Sequence, residues 1–82
     1  MKRDLKAELL SRVRSQVREG EPPEAAEALQ RLRGLGRTEA EAMDLLAAAL
    51  LVETHAMARD ARPFDPVGYA GALAALPRIL KR

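Results

Sequence analysis

His55 is the only histidine in this chain of 82 residues, and the carboxylates nearest to it in sequence are Glu53 and Asp60. An imidazole between two carboxylates is raw material for a metal site or for acid–base chemistry near neutral pH. The spacing argues against both. Residues two apart on a helix point about 200° from one another, and a structural zinc site takes four ligands drawn chiefly from Cys and His. The chain has no cysteine, which removes a disulfide framework, a Cys-based zinc site and a thiol nucleophile. A Ser-His-Asp triad would have to bring Ser11 or Ser15 from the first helix to His55, and neither serine lies on a glycine turn that could form an oxyanion hole. Gly34 and Gly36 precede a helix start, but no Gly-Lys-Ser/Thr follows, and Glu39, Glu41 and Asp44 would repel a phosphate. From these residues we expect no catalytic site, no metal, no cofactor and no small-molecule ligand.

The elements that carry these residues are helical. The apolar content is mostly Ala and Leu, with Phe64 and Tyr69 the only aromatics, a composition that favours helix over strand. Leu5, Leu9, Leu10, Val13 and Val17 fall within an arc of about 140°, predicting an amphipathic first helix over residues 4–18. Asp4 and Glu8 lie at the positive end of its dipole. Gly20-Glu21-Pro22-Pro23 breaks the chain, and Pro23 suits the first position of a second helix over residues 23–33. Its inner face is Ala25, Ala28, Leu29 and Leu32. Gly34 is expected to take left-handed angles and end it, with Leu35 folding back on Leu29 or Gln30.

Thr38-Glu39-Ala40-Glu41 has the spacing of a capping box and starts a third helix over residues 38–59, with Gly36 and Glu39 as the alternative cap pair. From Ala42 to Met57 this helix is apolar on nearly every side, interrupted mainly by Asp44, Glu53, Thr54 and His55, so it is expected to be contacted from several directions. Arg62-Pro63 ends it. Asp65 and Pro66 supply an N-cap and first residue for a fourth helix over residues 66–76. Phe64 and Tyr69 have the spacing of a hydrophobic staple across that cap. These signals predict an all-α fold: one small four-helix domain spanning residues 1–82, built around a nearly apolar central third helix and open to assembly as a dimeric bundle.

Composition narrows the setting. The longest apolar run, Leu45 to Val52, is far short of the roughly 20 residues that cross a bilayer. Charges interrupt the first eight residues, unlike a secretory signal. A cytoplasmic location without membrane association is the expectation. The formal net charge of +2 conceals three blocks. Residues 1–18 carry six basic and two acidic groups, residues 19–53 three and eight, and residues 54–82 five and two. Such alternation permits the ends to pack on the middle, within one chain or between two. The second helix, glycine turn and third helix share an outline with helix-turn-helix DNA readers. The opening turns of the third helix are acidic, however, and offer neither phosphate contacts nor base-reading groups.

Glu21-Pro22-Pro23-Glu24, the helix end Arg31-Leu32-Arg33-Gly34, and Arg62-Pro63-Phe64-Asp65 with Tyr69, Leu73, Leu76 and Pro77 together resemble a bacterial family of short, uncharacterised helical proteins. The resemblance covers about residues 19–77, and its most specific parts are the Pro-Pro-Glu start and the Arg-Pro-Phe-Asp turn. It implies an all-helical fold and no particular activity. The resemblance implies relatives that often carry histidines in the first helix and an acidic pair late in the third. Here the first helix has no histidine, and only Glu53, beside Val52, stands for the pair.

The functional expectation is a non-enzymatic helical module that associates with itself or with another protein. The face assigned to it is Leu9, Val13 and Val17 with Leu46 and Leu50, residues that could equally close a monomeric core. The alternative is a weak nucleic-acid binder using Arg14, Arg18 and the basic C-terminal tail.

Overall fold

The computed structural model describes residues 4–79. They form four helices: α1 Leu5–Glu19, α2 Pro23–Gly34, α3 Glu39–Asp60 and α4 Pro66–Ala75. Each boundary lies within one residue of the sequence reading, and no strand occurs among the described residues. The basic tail beyond residue 79 lies outside them.

The helix starts follow the local chemistry. The Asp4 carboxylate accepts from the Ala7 amide at the head of α1. At α3 the Thr38 hydroxyl accepts from Glu41 N–H at 3.1 Å, and the Glu41 carboxylate accepts from Thr38 N–H at 2.8 Å. This reciprocal pair satisfies two amides that the helix itself cannot. The Thr38 amide bond also holds the Glu41 carboxyl below its ordinary range. Thr38 is therefore the cap, and Gly36 has a different task.

That task corrects one expectation. Gly34 is the last residue of α2, and Gly36, at φ 95°, is the left-handed one. Gly36 N–H donates to Arg33 O, and Arg37 N–H to Leu32 O, so the paired terminal bonds form two residues later than expected. Leu35 does not fold back and is 63% exposed. With a glycine at both positions 34 and 36, spacing alone does not choose between them. α1 ends in the same manner at Gly20, φ 71°, with Glu21 N–H on Gln16 O. α3 repeats it with Ala61, φ 49°, and Arg62 N–H on Met57 O. An alanine in left-handed geometry costs about 1 kcal/mol or more that a glycine avoids.

α3 is the hub. It packs against α1, α2 and α4, and α2 packs in turn on α1 and α4. Ala42, Met43, Leu46, Ala47, Ala49 and Leu50 are its side chains in the core cluster, with Leu9 and Val13 of α1, Ala25, Ala28 and Leu32 of α2, and Tyr69, Ala72, Leu73 and Leu76 from the last helix and its end; Ala56 is buried as well. The short α4 is tied at both ends. The Arg31 guanidinium on α2 donates to the Leu73 and Leu76 carbonyls at 2.9 and 3.1 Å, placing positive charge where the helix dipole is negative. Near its start, Tyr69 Oη donates to Gln16 Oε1 of α1 at 2.7 Å.

Candidate functional site: the α1–α3 seam and the α3–α4 corner

The five residues read as an association face divide differently in the structure. Leu9, Val13, Leu46 and Leu50 are buried within the single chain, and Val17 is half-buried against the same core. Within the single chain they belong to one core cluster shared with residues of α2 and α4, and Leu9 also lines the open hollow between α1 and α3. The alternative role, closing a monomeric core, is the one these burial values describe.

What remains open lies one step outward along the same two helices. α1 and α3 run antiparallel here, because Leu5 and Leu9 lie against Ala47, Ala48 and Leu51, whereas Leu10 and Arg14 lie against Glu39, Ala40 and Met43. Lys6 and Asp44 line both hollows, and their side chains approach to 3.8 Å across the seam. The hollow on the Leu5 side is predominantly apolar and has a volume of about 360 Å³. The one on the Arg14 side, about 380 Å³, is more polar. Small side chains at Ala40, Ala47 and Ala48 give the seam its depth, and Leu5, 50% exposed, stands at its rim. The signal in the sequence was the 40-44-47-51 spacing on α3, a face that borders the core stripe and shares Ala47 with it.

The other end of α3 is finished with polar groups. Glu53, only 1% exposed, is the buried charged residue of the described core. The Arg62 guanidinium donates through Nη1 to Glu53 Oε2 at 2.9 Å and through Nη2 to Oε1 at 3.1 Å, a bidentate pair. Oε2 also accepts from the Asp65 amide at 2.9 Å, and Arg62 Nη1 donates as well to the Pro63 carbonyl. The hydrogen bonds to Glu53 raise the Arg62 pKa above its ordinary value, so the guanidinium stays charged. Asp65 caps α4 through Gly68 N–H at 3.1 Å. Phe64 meets Tyr69 edge to face, with ring centroids 5.5 Å apart. Asp65, Phe64 and Tyr69 therefore occupy the capping and staple positions expected of them. Burial pushes the Tyr69 hydroxyl up to about 12.

Glu53, a sequence neighbour of His55, does not join it in space. It turns instead into the corner with Arg62 and Asp65, while His55 is exposed on another side of α3. No group of three or more His, Cys, Asp or Glu residues able to hold a metal ion occurs among the described residues, and none of their helices is long and apolar enough to cross a membrane. Arg14 and Arg18 lie along α1, both exposed. Arg14 shares its hollow with Glu39 and Asp44, and Arg18 lies 4.0 Å from Glu19, so acidic groups adjoin both cations.

No family model matches the chain, and no match to it is found among curated proteins or solved structures. The functional reading rests on the residues themselves.

Proposed function

We propose that this chain is a non-enzymatic helical interaction module that associates with itself. The observation that carries the reading is the open, largely apolar seam between α1 and α3, lined by Leu5, Ala47, Ala48 and Leu51 on a protein of 9.0 kDa. A chain of this size buries only about 60–65% of the surface that its unfolded form exposes, so covering further apolar surface by association adds stability that a small core lacks. The polar side chains with the most elaborate bonding, Glu53, Arg62 and Asp65, serve to join two helices, which supports a scaffold in preference to a catalyst.

Sedimentation equilibrium tests this directly. At roughly tens of micromolar protein, a concentration suited to associations of micromolar affinity, a species heavier than the 9.0 kDa chain is expected, and its share should grow with concentration. Monomer alone across that range would overturn the reading.

A further inference from the structure

We infer that the occupant of the α1–α3 seam is a second copy of this chain, related to the first by a two-fold axis parallel to the two helices; this rests on the self-association reading above. The argument is the way charge is sorted across the seam. The basic groups that line it, Lys6 and Arg14, are on α1, and the acidic ones, Glu39 and Asp44, are on α3. The seam therefore has a positive edge on α1 and a negative edge on α3, which meet across it at Lys6 and Asp44.

Two copies of such a face can meet about a two-fold axis in two simple ways. An axis running across the helices lays α1 on α1 and α3 on α3, setting Lys6 and Arg14 against their own copies and Glu39 and Asp44 against theirs. An axis running along the helices lays α1 of one copy on α3 of the other. The second arrangement preserves level along the seam. Lys6 and Asp44 already stand side by side, 3.8 Å apart within one chain, so the Lys6 of one copy arrives over the Asp44 of the other. Arg14 arrives likewise over the acidic stretch that begins at Glu39, and Leu5 over the neighbourhood of Leu51. Like charges juxtaposed in an interface are strongly disfavoured and complementary ones fix register. A closed two-fold contact of this kind is self-complementary and stops at a dimer. The Lys6 and Asp44 side chains are 68% and 52% exposed, so each can turn from its partner within the chain to one across the contact at small cost.

The test uses two single charge variants of the full chain, Lys6→Glu and Asp44→Lys, each examined by sedimentation equilibrium alone and in equimolar mixture with the other. Alone, each variant should dimerise at least about tenfold more weakly than the wild type, because it places like charges over one another. Mixed, they should recover association. The carboxylate introduced in one variant then faces the ammonium introduced in the other, and the unaltered Lys6 and Asp44 face each other at the symmetry-related contact. That recovery also shows that both variants are folded. The chain has no cysteine, so the direction of the axis is read with single thiols: a mixture of Leu5→Cys and Leu51→Cys chains should cross-link to each other through a short bismaleimide, more readily than either variant cross-links to itself. A wild-type dimer that both charge variants preserve would overturn the seam and leave self-association standing. Preferential Leu5→Cys to Leu5→Cys linkage would overturn the axis. A wild type that is monomeric throughout would overturn self-association and the seam dimer with it.

Discussion

At its C-terminal end α3 meets α4 through a buried carboxylate that binds a guanidinium and a backbone amide, whereas its N-terminal half meets α1 through alanine, leucine and the exposed Lys6–Asp44 pair. The first junction is directional. Glu53, Arg62 and Asp65 must stand at hydrogen-bonding distance, which sets the angle at which the chain leaves α3 and enters α4. The second is governed by shape and area, and its small side chains leave hollows where a close-packed interior would leave none. One helix thus carries a directional polar junction at one end and an open seam at the other.

The following measurements would break or sharpen this contrast. The largest effect is expected from Glu53→Ala, which strands the Arg62 guanidinium and the Asp65 amide and should destabilise the fold by about 3 kcal/mol in chemical denaturation. A loss below about 1 kcal/mol would mean that the corner contributes little to stability. Next, Tyr69→Phe removes the bond to Gln16 and should cost about 1 kcal/mol. The same hydroxyl has a pH signature. Its pKa is raised from 10.0 to about 12 by folding, so the folded state holds the proton more tightly than the unfolded state. The stabilisation is complete below pH 10 and is lost as pH rises toward 12. Thermal melts of wild type and Tyr69→Phe should converge as pH rises above 10 and cross before about 12, because the raised pKa outweighs a bond of about 1 kcal/mol.

A smaller effect of opposite sign is expected from Ala61→Gly. At φ 49° the glycine relieves left-handed strain, less the backbone entropy it adds to the unfolded chain, for a net gain of about 0.5 kcal/mol. Gly20→Ala and Gly36→Ala, at the matching ends of α1 and α2, should destabilise instead. The smallest effect belongs to the seam. Lys6→Ala should change monomer stability by less than about 0.5 kcal/mol, as an exposed pair separated by 3.8 Å contributes little. A large loss there would make the seam a structural junction like the corner.

What the sequence disclosed follows the same division between near and far. The Thr38–Glu41 box, the Asp65 cap and the Phe64–Tyr69 staple join residues three to five apart, and helical periodicity places such pairs without knowledge of the rest of the fold. Glu53 and Arg62 are nine apart across a proline-terminated turn, Arg31 is 42 and 45 residues from the carbonyls it holds, and Gln16 is 53 from Tyr69. Those bonds exist only once the helices have packed, so spacing could not reveal them. A lone carboxylate in an apolar run, with an arginine beyond the next turn, was the available sign for Glu53. The assigned face lies largely within the core for a related reason. Leu9, Val13, Leu46 and Leu50 form a stripe that any neighbour could cover, and periodicity does not say that α2 and α4 do so within the same chain.

Glu53 Oε2 accepts from both Arg62 and Asp65, two positions of the connection between α3 and α4. The carboxylate thereby acts as a gauge of loop length. Inserting or deleting one residue between positions 61 and 65 would shift one of those donors out of reach, so this connection should resist the length changes that surface loops ordinarily accept. The Leu35–Arg37 turn, with Leu35 exposed to solvent, is the more promising place to graft additional sequence, provided that Gly36 keeps its left-handed position.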